Sequence, residues 1–173
     1  TAIQATYQQV YDAAVARQTA LQQTLGRKLP IVATGHLTTV GASSNESVRE
    51  IYVGTLDAFP TSEFPPVDYL ALGHIHKPEI LLENRMAYAG SPEPLDMTET
   101  GPHGYFIGEI DTTSGHVTSL QFKEVCQAQY IPLVVNVTPQ TTNTELSQII
   151  ADEIRKRGAS NIYRFRIRGR SEE

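Results

Sequence analysis

The sequence predicts a mixed α/β (α+β) fold: short strands forming one layer of a sandwich of sheets, with flanking helices, followed by a small β-α-β unit. Three patterns carry that expectation. Residues 3–25 contain no Gly or Pro and space Ile3, Tyr7, Val10, Tyr11, Ala14, Leu21 and Leu25 as one face of a helix. Two apolar runs end in Gly-His: residues 29–34 lead into Gly35-His36, and residues 67–72 into Gly73-His74-Ile75-His76. Beyond Gln127 a strand, a capped helix and a second strand follow in quick succession.

Gly26 is placed as the C-cap of the first helix, and Lys28-Leu29-Pro30 leads into a strand over 30–35. Residues 38–47 are small and polar, too many for a tight turn, and loops of this kind at strand ends often carry function. A proline-punctuated connection, Asp57–Pro60 through Phe64-Pro65-Pro66, enters the strand at 67–72. Residues 79–82 and 86–89 read as two short strands around Glu83-Asn84-Arg85, the second broken by Gly90-Ser91-Pro92. Residues 104–110 and 116–125 flank Asp111-Thr112-Thr113-Ser114-Gly115, a hairpin turn by composition.

Tyr130–Val137 reads as a strand, and Thr142 with Glu145 has the capping-box form. Leu146, Ile149, Ile150 and Ile154 give the following helix one apolar face, up to Gly158. Residues 162–168 alternate, with Ile162, Arg164, Arg166 and Arg168 on one face and Tyr163, Phe165 and Ile167 on the other. A unit of roughly 45 residues buries too little surface to stand alone comfortably. The expected organisation is therefore 1–125 and 126–173, the latter being the opening of a second domain.

Composition bounds the function. The chain is 40% hydrophobic and 19% charged, as in ordinary globular proteins. No apolar stretch approaches the ~20 residues of a membrane helix, and the first residues do not form a signal peptide. A single cysteine, Cys126, excludes an internal disulfide and fits a reducing compartment, the cytoplasm. The net charge of −5 disfavours gripping nucleic acid by bulk electrostatics, although half of the 14 Lys and Arg residues lie between Arg155 and Arg170. Polyanions handled by the acidic front part would need bound cations.

The histidines carry the chemistry. On a regular strand residues i and i+2 point the same way, so His74 and His76 form a pair of neutral imidazoles suited to a metal ion. Two polar rings beside a core are costly unless something uses them. His36 ends a strand of the same expected sheet and joins them, whereas His103 and His116 read as solvated. Asp68, Glu79, Glu93 and Asp96 are near in sequence but lack ligand-motif spacing, and Asp68 reads as structural. The chain thus holds the histidine side of a divalent-metal site without its carboxylate side. No phosphate-cradling glycine loop is present, Ser91 lacks the nucleophile-elbow form, and Cys126 reads as a packed thiol. The arginine face of 162–168 suits nucleic acid or a partner, or is a charged edge that resists aggregation.

Ala33-Thr34-Gly35-His36-Leu37-Thr38 and Ala71-Leu72-Gly73-His74-Ile75-His76-Lys77, with Gly90-Ser91-Pro92 beyond, resemble the calcineurin-like metallophosphoesterase family. The block Tyr52–Pro60 between them resembles, more narrowly, the family's DNA-repair nuclease subunits. The resemblance runs from the first helix to the β-α-β unit. It implies a phosphodiesterase with two Mn²⁺ ions, one held by His36 and His74 and the other by His76, which activate water and stabilise charge on the scissile phosphate. It also implies double-strand exonuclease and hairpin or single-strand endonuclease activity in DNA repair, recombination and replication. The partners implied are DNA, a separate ATPase subunit, a second copy of the nuclease in the intact complex, and no membrane. Residues 1–125 would then be the C-terminal half of the catalytic β-sandwich. Residues 126–173 would begin a DNA-capping domain with Arg164, Arg166 and Arg168 toward DNA.

The sequence departs from the family in lacking Asp-x-His, Gly-Asp-x-x-Asp and Gly-Asn-His-Asp. No catalytic acid is assigned within it; that group is expected upstream of Thr1, and the chain alone is expected to be inactive. The competing expectations are a small-molecule metallophosphoesterase and a non-catalytic module that binds DNA or a partner.

Overall fold

A computed structural model describes residues 2–40 and 58–170. The polar loop beyond Val40 and the Tyr52–Asp57 part of the family-like block lie outside the described residues. Helix α1 (Ala2–Leu25) ends where expected, at Gly26, whose φ of +70° is a conformation that glycine adopts without strain. The strands are β1 (Val32–His36), β2 (Thr39–Val40), β3 (Phe59–Pro60), β4 (Tyr69–Gly73), β5 (Glu79–Leu81), β6 (Met86–Tyr88), β7 (Gly104–Ile110), β8 (Val117–Glu124), β9 (Tyr130–Val137) and β10 (Ile162–Gly169). Helix α2 (Asn143–Arg157) joins the last two. The fold is mixed α/β with several separate sheets, consistent with part of a metallophosphoesterase domain. The chain divides into two compact units, Thr1–Ser91 with Tyr105–Lys123 and Pro92–Gly104 with Glu124–Glu173.

In the first unit four strands form a sheet in the order β1-β4-β6-β5, with β1, β4 and β6 parallel and β5 antiparallel to β6. Both Gly-His strands start about two residues later than their apolar runs suggest, because a reciprocal clamp precedes the ladder. Ile31 donates its amide to Asp68 Oδ2 (2.7 Å), and Asp68 donates its own amide to the Ile31 carbonyl (2.9 Å). Asp68 is therefore structural, as its position suggested. Leu70, Leu72, Leu81, Met86 and Tyr88 make the buried cluster, with Ala33, Leu37, Phe64 and Ile75 packed against it. The β5–β6 turn takes three successive left-handed residues, Leu82, Glu83 and Asn84.

Helix α1 presents Tyr7, Tyr11, Ala14, Gln18 and Leu21 as its half-buried stripe. Tyr7 meets Phe59 edge-on (5.3 Å) and stacks on Phe64 (5.7 Å). Ile3, Val10 and Leu25, expected on that face, are exposed. At 100° per residue Val10 lies on the flank of the stripe, while Ile3 and Leu25 overhang its ends. A cleft of 360 Å³, lined by Tyr7, Val10, Tyr11 and residues of β1, remains beside the helix. The hairpin β7–β8 closes at Asp111, whose carboxylate accepts from the Thr113 and Ser114 amides and the Ser114 hydroxyl.

In the second unit β9 and β10 pair in parallel from Ile162↔Tyr130 to Gly169↔Val137. The capping box forms as read from the sequence: Glu145 N–H donates to Thr142 Oγ1, and Thr142 N–H to Glu145 Oε2. Leu146, Ile150 and Ile154 are the half-buried side of α2, and Ile149, on their flank, is exposed. His103 corrects an expectation, being 2% exposed rather than solvated. The loop folds it inward, where its carbonyl accepts from the Val125 amide at 3.0 Å. No helix among the described residues is long and apolar enough to cross a membrane.

Candidate metal centre

His36 is the last residue of β1, and Gly73, the last residue of β4, is its register partner. The pairing explains the glycine. A Cβ at Gly73 would lie 2.9 Å from Nδ1 of His36, so the imidazole occupies the space a side chain would take. Gly73 itself keeps an extended conformation, as the last residue of β4. His74 makes the turn instead, with φ of +97°. A non-glycine residue there costs of order 1–3 kcal/mol and persists only where the surroundings hold it. The regular-strand argument for His74 and His76 therefore fails, because the strand ends before either.

The turn nevertheless brings the His74 ring to His36, with centroids 5.3 Å apart and planes at 70°. Two imidazoles sharing one ion at about 2.1 Å place their ring centres roughly 5 Å apart, so this pair fits a shared divalent cation. The burial argument also needs correction, since His36, His74 and His76 are all exposed. With the rings exposed, the cost that stands out is the backbone at His74. Among the described residues no group of three or more His, Cys, Asp or Glu is gathered closely enough to hold an ion. His36 and His74 come together, and His76 is not gathered with them into such a group.

Three of the acids near in sequence have partners of their own. Asp68 serves the Ile31 amide, Glu93 accepts from the Gln127 amide (3.0 Å), and Asp96 caps Thr98. The half-buried Cys126 has its Sγ 3.5 Å from Glu124 Oε1.

The histidine turn is held by Gly90 and Ser91, the residues that break the strand before them. Ser91 donates its amide to the His76 carbonyl (3.0 Å). Gly90, with φ of +80°, passes so close that a Cβ would lie 2.6 Å from that same carbonyl oxygen. A Gly-Ser pair just past a core strand was the available signal. On β10 the residues Arg164, Arg166 and Arg168 alternate outward beside Pro132, Val134 and Asn136, all exposed.

Comparison with known proteins adds to this geometry. Over 95 residues the chain is 52% identical to the SbcD subunit of the SbcCD nuclease of Escherichia coli K12, a match covering 54% of this chain and 23% of the relative. The SbcD protein of Rhodobacter capsulatus is 38% identical over 99 residues, covering 56% and 24%. Over about half of its length the chain is therefore similar to SbcD nuclease subunits. An uncharacterized metallophosphoesterase of Bacillus subtilis, YhaO, is 31% identical over 112 residues, covering 62% of this chain and 27% of that protein. The matches with these three relatives span about a quarter of each relative's length. No family model matches the chain.

Proposed function

We propose that this chain supplies the histidine part of a two-Mn²⁺ phosphodiesterase centre in a nuclease subunit of SbcCD type. The paired imidazoles of His36 and His74 at the sheet edge carry the reading, and the similarity to SbcD and metallophosphoesterase proteins supports it. His36 and His74 would hold one ion and His76 the other. Ions bound there supply water activation and neutralise charge on the scissile phosphate. Gly73 makes room for the first ring, and the Gly90–Ser91 backbone fixes the turn that carries the others. The β9-α2-β10 unit opens a DNA-capping domain in which Arg164, Arg166 and Arg168 bind phosphates. The substrates are double-strand ends, hairpins and single strands of DNA in repair, recombination and replication. The partners are DNA, an SbcC-like ATPase and a second nuclease subunit, in the cytoplasm.

Titrating the chain with Mn²⁺ tests the centre. Weak binding is expected, lost in His36→Ala and in His74→Ala, with no cleavage of hairpin or duplex DNA. Binding indifferent to both substitutions would overturn the assignment. Mn²⁺-dependent cleavage abolished by His76→Ala would overturn the expected inactivity of the chain alone. The exposed arginine row favours a second reading, a non-catalytic DNA-binding module, and metal-independent DNA binding untouched by His74→Ala would select it.

A further inference from the structure

The side chain of Tyr88 crosses from β6 to the backbone that follows His36. Tyr88 is 3% exposed, and its hydroxyl lies 2.8 Å from the Leu37 carbonyl and 3.0 Å from Thr39 Oγ1. A phenol has one proton, and a carbonyl can only accept. Tyr88 therefore donates to Leu37 O, and the Thr39 hydroxyl donates to the phenol oxygen. Since β4 lies between β1 and β6, this bond spans two strand spacings, about 9.6 Å. It acts at the histidine end of the sheet: Tyr88 is level with Leu72, one residue before the Gly73 against which the His36 ring rests. Burial raises the Tyr88 pKa and the charge of Glu79, its partner across β5–β6, adds to this, while the Thr39 hydrogen bond acts the other way. The phenol thus keeps the proton that the clamp uses.

We propose that Tyr88 is a positioning residue for the metal-binding pair. By pinning the Leu37 carbonyl it fixes the chain just past His36, and with it the placement of that ring over Gly73 and beside His74. The effect on metal binding rests on the function proposed above; the effect on the ring pair does not. The test is Tyr88→Phe, which removes the hydroxyl and keeps the ring. Without metal, NMR is expected to show loss of the nuclear Overhauser contact between the His36 and His74 rings and shifted His36 signals. Mn²⁺ affinity, read from the free-ion EPR signal, should fall roughly tenfold, as for other groups that orient a metal ligand. Tyr11→Phe, which removes a hydroxyl from the Pro66 carbonyl (3.4 Å), is the control and should leave the pair intact. Should Tyr88→Phe not fold, Thr39→Val removes the second bond of the clamp and is expected to shift the His36 signals. Unchanged His36 signals in a folded Tyr88→Phe or Thr39→Val protein would overturn the proposal. Disturbed rings in a protein that binds no Mn²⁺ even before substitution would uphold the clamp and overturn the metal reading.

Discussion

The histidine edge of the first unit and the arginine strand of the second both present exposed polar side chains, yet they are built in opposite ways. At the histidine edge, position comes from contacts between residues far apart in sequence. Gly73 yields its side-chain space to His36, Ser91 holds the His76 carbonyl, and Tyr88 holds Leu37. The β9-α2-β10 unit relies on signals a few residues apart: the Thr142–Glu145 box, the Gly158 cap and the alternation along β10. The first construction fixes a few atoms closely, which metal ligation and catalysis require. The second presents long, mobile charges on a regular frame, which is enough for phosphate contacts that carry no sequence information.

The contrast is broken most forcefully at Gly90. Gly90→Ala places a side chain at φ of +80° and 2.6 Å from the His76 carbonyl oxygen. Left-handed strain and forced displacement together should destabilise the first unit by about 3 kcal/mol. Amides of β4 and β6 should then exchange with solvent more than a hundredfold faster. Unaltered exchange would mean that the histidine turn is looser than its contacts indicate.

Replacing Arg164, Arg166 and Arg168 together by Gln tests the other region. If each neutralises one phosphate, the slope of log affinity for duplex DNA against log salt should flatten by about 2.7. Binding at low salt should weaken about a hundredfold, with the melting temperature unmoved because all three side chains are exposed. An unchanged slope would reduce the row to a charged edge. A smaller effect is expected from Thr142→Ala, which removes the hydroxyl that accepts the Glu145 amide. Loss of this cap should cost about 1 kcal/mol, visible as fraying of the first turn of α2.

The same division explains what the sequence made legible. The capping box, the hairpin at Asp111 and strand β9 depend on neighbours in the chain, and a linear reading finds them. The two Gly-His strand ends were also legible, because an apolar run has to stop somewhere. The turn at His74 was not, since a left-handed histidine is fixed by packing that no local pattern records. Nor was the inward fold of His103, or the role of Gly90 and Ser91, which depends on β6 lying beside β4. Val10 and Ile149 were misplaced for one reason: each lies on the flank of its helix stripe, where periodicity separates buried from exposed poorly.

The smallest effect is common to both regions, and it tests whether local donors alone explain their turns. Asp111 in the first unit is held below the usual carboxylate range by the Ser114 hydroxyl first and then by the Thr113 amide. Glu145 in the second is lowered by the Thr142 amide and then by its hydroxyl. A depressed folded pKa stabilises the ionised form, so what each carboxylate adds is fully present above its ordinary unfolded pKa. That contribution is lost as pH falls through the folded value. Both groups are fully exposed, so salt and water keep the effect small. Carboxyl-carbon NMR titration should find both midpoints below their ordinary values. Thr142→Ala should return only the hydroxyl's part of the Glu145 shift, keep the larger part owed to the backbone amide, and leave Asp111 unmoved. If Asp111 moved as well, the donors beside each carboxylate would not account for its shift, and the view that such turns are set locally would fail.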